Sequence, residues 1–309
     1  MYHDVEESEY DNKHPEIFKD EKPRWEKINR KFFAAHSEKI CLLDVGSGTG
    51  FVPLQIGKSL NSDDLLVCSD ISPRMLQFCK KRINEKGFKC HVDYLLLDGK
   101  KIDLKPNMAD FITMNSVLHH IPDFSTFFRE INRVLKVNGR LIIGHEPNKL
   151  FYTHRFLWSN YRLISFVLSW KFHIAKAKRK FKPFKILKEA NNKGDHKAKS
   201  SNRIADEVNE RLLEERIIDF PLTIDQIIEI VDIHSPTAER GKKSKTGIDA
   251  AEILEVHLPN FRLDYLETYN YLGKVSSANQ STMRYDSLLR RIYPGRGATF
   301  LAILKKIGC

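Results

Sequence analysis

Three glycines spaced G-x-G-x-G (Gly46, Gly48 and Gly50) stand between an apolar run ending in Asp44 and the stretch FVPLQIGKSL. Glycine lets a turn take positive φ and lets the backbone come close to a bound molecule. Such a loop at the end of a strand suits a nucleotide-like ligand. The spacing is not that of the dinucleotide fingerprint, G-x-G-x-x-G. A second acid, Asp70, closes LLVCSD twenty positions beyond Gly50, where a carboxylate could accept from a pair of ribose hydroxyls. Further along, NSVLHHIPD offers Asn115, Ser116, His119 and His120. A neutral imidazole can accept a proton near neutral pH, so His119 and His120 are candidate bases. At least one of the pair is expected to be packed and hydrogen-bonded instead.

Parallel strands joined by helices would position these groups. Residues 40–45 read as a first strand and LLVCSD as a second. SPRMLQFCKKRINEKG then reads as a helix with Ser72 as N-cap, Pro73 at its first position, Met75, Cys79 and Ile83 as its apolar stripe, and Gly87 at its end. A third strand at roughly 89–95 runs into Asp98 and Gly99, and a fourth covers MADFITMN at 108–115. DFSTFFREINRVLKVNG is a helix with Phe124, Phe127, Phe128, Ile131 and Leu135 on one face, expected to stop at Asn138-Gly139. RLIIGHEPN supplies a fifth strand, with His145, Glu146 and Asn148 at its carboxyl end. This alternation is the signature of a doubly wound sheet that binds ligands along the carboxyl ends of its strands.

The glycine loop, the two acids and the strand order together resemble the class I S-adenosylmethionine-dependent methyltransferases, in the branch acting on small molecules and lipids. NSVLHHIPD is similar to the matching motif of that branch. The resemblance covers about 40–148 by motif and 248–309 by architecture. It implies an α/β, doubly wound, mostly parallel seven-stranded sheet with a helical insertion after strand five. Its closing pair would be a hairpin of NFRLDYLETYNYLG and RGATFLAILKKI, with one antiparallel member. IDAAEILEVHLP would be a helix before that pair. The implied cofactor is S-adenosyl-L-methionine, held by Asp44, Gly46, Ser47, Gly48, Gly50, Asp70, Ile71, Asp98, Gly99 and Asn115. Asp98 would bond the adenine amino group. No metal is implied, and neither a P-loop, an H-E-x-x-H motif nor zinc-ligand spacing occurs. The loop after strand four also lacks the (Asn/Asp)-Pro-Pro-(Tyr/Phe/Trp) motif that serves exocyclic amines, and no Pro-Cys dipeptide offers a cytosine nucleophile.

The domain reading has four parts. Residues 1–39 form an N-terminal helical segment or lid, in which Trp25, Ile28, Phe32 and Phe33 recur at helical spacing. Residues 40–148 form the cofactor-binding core, 149–247 a helical, basic insertion, and 248–309 complete the sheet. The insertion begins with FYTHRFLWSNYRLISFVLSW (151–170), which is apolar apart from a stripe of Arg155, Ser159, Arg162 and Ser169. Trp158, Tyr161 and Trp170 are rings suited to a membrane interface. Two further helices are expected over NRIADEVNERLLEERII and TIDQIIEIVDI, the second opened by a capping box from Thr223 to Gln226.

Net charge is +11 over 309 residues, but residues 171–203 alone hold twelve Lys and Arg against Glu189 and Asp195. A polyanionic partner would meet the chain there. The partners implied are a small-molecule or lipid-linked acceptor and an anionic membrane surface at 151–203. RNA methylation through the basic run and a silent cofactor-binding scaffold are the alternatives. The polar, acidic N-terminus has no signal-peptide order, which implies a cytoplasmic protein, peripheral at the membrane if 151–203 docks there. Five cysteines without a C-x-x-C pair read as reduced thiols.

Overall fold

The computed structural model describes residues 21–180, 191–234 and 247–308; within the helices, side chains at 171–202 lie outside the described residues. Seven strands form one sheet: β1 (Cys41–Val45), β2 (Leu65–Asp70), β3 (His91–Leu96), β4 (Ala109–Asn115), β5 (Leu135–Pro147), β6 (Phe261–Tyr269) and β7 (Thr299–Lys306). Their order is β3-β2-β1-β4-β5-β7-β6. The four pairings from β3 to β5 are parallel. The order reverses between β1 and β4, so the chain after β1 and the chain after β4 emerge side by side at one edge of the sheet.

Helices α1 (Lys22–Phe32), α2 (Phe51–Ile56), α3 (Pro73–Lys86) and α4 (Phe124–Val134) belong to the same unit as the sheet's first strands. Each forms where its apolar spacing requires. In α3 the Ser72 hydroxyl accepts from the Met75 N–H at 3.0 Å, Met75, Cys79 and Ile83 are buried, and Gly87 closes the helix at φ +61°. In α4 Asp123 caps the first turn, and Phe127, Phe128 and Ile131 are fully buried against Ile112, Met114 and Leu141 in the main core. Each such side chain contributes roughly 1.5–3 kcal/mol on leaving water.

Two expectations need correction. Helix α4 ends at Val134, before Asn138-Gly139, and β5 starts at once with Leu135. The carbonyls of Arg133 and Val134 accept from the N–H groups of Asn107 and Met108, both at 2.9 Å, so the helix end is satisfied without a glycine cap. Asn138, at φ +68°, lies instead in a bulge where β5 sets four residues against one of β4. Secondly, β6 and β7 are not joined by a short hairpin turn. A helix, α10 (Gln280–Ile292), intervenes, opened by a capping box between Asn279 and Thr282.

The chain divides into two compact units. One runs to Glu146 and takes in Ile248–Glu267 and Phe300 onward; the other comprises Pro147–Gly247 and Thr268–Thr299. The second holds α5 (Lys149–Tyr152), α6 (Arg155–Lys180), α7 (Asn191–Glu214), α8 (Ile224–Val231) and α10. The Thr223–Gln226 capping box is present. The helix expected from IDAAEILEVHLP is brief, α9 (Ala250–Glu252), continuing as one π turn to His257. The second unit packs on its own cluster of Phe151, Leu157, Tyr161, Tyr271, Leu272 and Leu289. Cys41, Cys68, Cys79 and Cys90 are free and buried. No described helix is long and apolar enough to cross a membrane.

Candidate functional site

The first group of candidate residues gathers where β1 and β2 end. Gly46 and Gly48 take φ of +67° and +51°, and Gly50, at +90°, is the N-cap of α2. A Cβ on Gly46 would lie 2.4 Å from Val117 Cγ2, whereas one on Gly48 would meet nothing within 4 Å. Gly46 is therefore glycine to let the turn after β4 approach, and Gly48 leaves open space beside the loop.

Asp70 braces that loop. Its Oδ2 accepts from the Gly48 N–H at 2.8 Å and its Oδ1 from the Ser72 N–H at 2.9 Å, with the residue 8% exposed. A carboxylate oxygen has two lone pairs, so this bracing is compatible with further donors. Ser47 ties β1 to β2, its hydroxyl donating to the Asp44 carbonyl and accepting from the Ser69 N–H. Ile71, directly after Asp70, leaves a large apolar side chain 61% exposed, and so does Leu96, the β3 register partner of Asp70. Leu96 did not stand out in the sequence, because an aliphatic residue at a strand end has no signature of its own. Asp98 is exposed and accepts from the Lys100 N–H at 2.9 Å, while Gly99 adopts φ +78°; together they form an Asp-Gly turn.

Asp44 is the least compensated group. It is 1% exposed; Oδ1 accepts from the Thr113 hydroxyl at 2.6 Å, and Oδ2 is buried with no hydrogen-bond partner. Burial in an apolar strand end pushes its pKa up to about 7, with the charge of Asp70 adding to the rise and the Thr113 and Ser47 hydrogen bonds opposing it. A buried carboxylate held this way suits a cationic ligand group, which would restore its charge.

The second group lies where β4 and β5 end. Glu146, on β5 and fully buried, accepts through Oε1 from the Val117 and Leu118 N–H groups, both at 2.7 Å. Its Oε2 accepts from the His119 N–H at 3.2 Å and meets His119 Nδ1 at 2.8 Å. A carboxylate can only accept, so Nδ1 carries the proton, and in the neutral ring the lone pair falls on Nε2. His119 is 9% exposed and oriented by Glu146, and the His120 ring lies 4.0 Å from it at 47°. Glu146 is the candidate that spacing could not assign. His145-Glu146 is visible at the end of strand five, but only the β4–β5 register brings it to the histidine loop.

The backbone is strained around this point, with Ser116 at φ +62° and His145 at φ +56°. Such angles are costly for side chains other than glycine, and they persist where packing over-determines them. Asn115 has its carbonyl committed to α1, accepting from the Trp25 indole at 2.8 Å. His145 Nδ1 lies 3.0 Å from Glu21, a fully buried acid whose Oε2 has no hydrogen-bond partner.

Residues 43–143 match the family model described as a methyltransferase domain. The chain is 28% identical over 125 residues to a ubiquinone/menaquinone biosynthesis C-methyltransferase of Wigglesworthia glossinidia brevipalpis, covering 40% of this chain and 49% of that protein. It is 28% identical over 99 residues to the protein of the same name from Xylella fastidiosa, covering 32% and 39% respectively. The chain thus spans about half or less of these relatives. A solved S-adenosylmethionine dependent methyltransferase from Mesorhizobium loti is 13% identical, with 93% of this chain and 97% of that chain covered at a TM-score of 0.49.

Proposed function

We propose that this chain, which carries a class I S-adenosylmethionine-dependent methyltransferase domain, methylates a small organic acceptor whose proton is removed by His119. The observation that carries the reading is the Glu146 carboxylate, which fixes three backbone amides of the turn after β4 and the imidazole of His119 together.

The described residues fit the cofactor. Asp44 has a buried oxygen without a partner, and Gly48 faces open space. Asp44 would compensate the cofactor's amino group and Asp70 would accept from its ribose hydroxyls. Asp98 would serve the adenine amino group, and Ile71 and Leu96 would cover the ring. Asn115, tied to Trp25, would shape the wall rather than bond the cofactor. The cofactor supplies an electrophilic methyl group on a sulfonium.

The protein's part is orientation and proton removal. His119 Nε2 takes the acceptor's proton. Glu146 holds Nδ1–H and stabilises the imidazolium that results, so the base returns to the same tautomer when it releases its proton. His120 packs against the His119 ring and limits its rotation. Because the curated relatives are C-methyltransferases of quinone biosynthesis, an activated ring carbon of a quinone-type precursor is the first acceptor class to test, in free or lipid-linked form.

Calorimetry with S-adenosylmethionine and S-adenosylhomocysteine, followed by turnover on phenolic and quinol acceptors, tests the reading. Micromolar cofactor binding with His119-dependent turnover is expected. Absence of cofactor binding refutes it. Binding with turnover that survives His119→Ala refutes the assigned base.

A further inference from the structure

Helix α6 has two apolar faces. Leu157 and Tyr161, 0% and 7% exposed, point into the cluster of the second unit, and Trp158 packs its ring on Tyr152 and Tyr161 at 5.4 and 5.6 Å. Of the three rings suited to a membrane interface, Trp158, Tyr161 and Trp170, the fold leaves Trp170 exposed and packs the other two. Packing on one side does not exhaust the helix, because Phe156, Leu163, Phe166, Val167 and Trp170 are 49%, 61%, 65%, 38% and 60% exposed. At about 100° per residue these five positions share an arc of about 100°. Arg155, Arg162 and Ser169, also exposed, run along one flank of that arc.

Two further features mark what covers this face. The same helix backbone continues through Lys171, Lys176, Lys178, Arg179 and Lys180. Near its start, the Phe156 ring lies 5.6 Å from that of Tyr293, just past the end of α10, whose last turns expose Leu288, Ile292, Arg290 and Arg291. A protein partner would need an apolar groove rimmed by acids at one end. An anionic lipid surface meets every feature without a matched shape: aliphatic and indole side chains enter the acyl boundary, flanking arginines reach back to the headgroups, and the basic sequence of the helix's continuation supplies charge of the opposite sign.

We infer that the exposed face of α6 docks the second unit in the plane of an anionic membrane. The helix lies along the surface, with Phe166 and Trp170 as its insertion point and the basic continuation as its electrostatic hold. The inference does not depend on which acceptor is methylated. It gives the chain a way to work at a surface where apolar, lipid-linked compounds concentrate.

The test uses the full chain with vesicles of phosphatidylcholine, with or without phosphatidylglycerol. Partition to the mixed vesicles is expected, strong at low salt and weak at high salt. Acyl-chain-brominated lipid should quench a tryptophan signal that Trp170→Phe removes, since Trp25 is buried and Trp158 is packed within its unit. Replacing both Phe166 and Trp170 with Ser should lower the partition coefficient about tenfold or more. Replacing Lys176, Lys178 and Lys180 with Gln should lower it about a hundredfold. Both sets should keep the far-ultraviolet spectrum and the cofactor affinity of the parent. No partition at low salt overturns the inference, as does partition without Trp170 quenching. Tight binding to folded RNA in place of vesicles overturns it in favour of a nucleic-acid partner.

Discussion

Replacing Asp44 with Asn separates the demands of folding from those of ligand binding. The carboxyl titrates at about 7 in the folded chain against an ordinary value of 3.8, and desolvation by burial is the leading cause. Between those two values the unfolded chain has released a proton that the folded chain still holds, so stability falls as pH rises through this window. Integrating the difference, this one group removes about 2.5 kcal/mol between about pH 5 and about pH 8. The Asp44→Asn side chain cannot ionise, so that loss disappears. Its carbonyl can still accept from the Thr113 hydroxyl, and its amide takes the place of the partnerless Oδ2. That unsatisfied donor costs about 1–3 kcal/mol at every pH, so it shifts the variant's curve without tilting it. Urea unfolding of both proteins across this range should therefore show Asp44→Asn gaining about 2–3 kcal/mol on the parent between the two ends. Other carboxylates titrate alike in both and cancel. Cofactor affinity should move the opposite way, falling about tenfold to a hundredfold, because the neutral amide cannot compensate a cationic group. A stability difference that stays flat across the range would refute the argument that burial of an uncompensated carboxylate governs this strand end.

His119→Ala should lower kcat by roughly 10²–10⁴-fold with Kd for the cofactor nearly unchanged, and His120→Ala should cost much less; stopped turnover and calorimetry read the two separately. Glu146→Gln should both destabilise the fold and displace the pH–rate profile, since the carboxylate accepts three backbone amides and orients Nδ1; a stability loss with an unmoved profile would leave Glu146 a purely structural role. Asp70→Asn should weaken cofactor binding while keeping an acceptor for one of the Gly48 and Ser72 amides, whereas Asp70→Ala should also lower Tm because both amides lose their acceptor; equal melting of the two variants would contradict the bracing role. Gly46→Ala should cost on the order of 1–3 kcal/mol in thermal or urea unfolding, because φ is +67° and the added Cβ would sit 2.4 Å from Val117 Cγ2; an unchanged Tm would mean the two loops are not packed as described.

The sequence by itself determined whatever depends on neighbours within one element. The positive-φ turn through Gly46, Gly48 and Gly50, and the acids Asp44 and Asp70 at strand ends, were readable because glycine spacing and an apolar run are local signals. The caps at Ser72, Gly87 and Thr223 were readable because a helix end must satisfy its own amides and carbonyls within a few residues. The same locality misled at Asn138-Gly139, where a pair that normally ends helices was used in a strand bulge, the helix carbonyls having been satisfied from the loop before β4. Helix α10 carries its signature locally, in the Asn279–Thr282 capping box and the spacing through Leu289, between the two runs that read as the closing strands. What only the tertiary structure decided involves residues far apart in the chain. Which histidine ring Glu146 holds, 27 positions away, depends on β5 pairing beside β4 in one particular register. Which oxygen of Asp44 is paired is set by Thr113, 69 positions on, and the other oxygen is buried without a partner. The apolar width of α6 was plain in the sequence, but its division into a packed face and an exposed one was not. A periodic pattern fixes which residues share a face, and only the neighbours that arrive from α10 and the segment after β6 determine which of two apolar faces is covered.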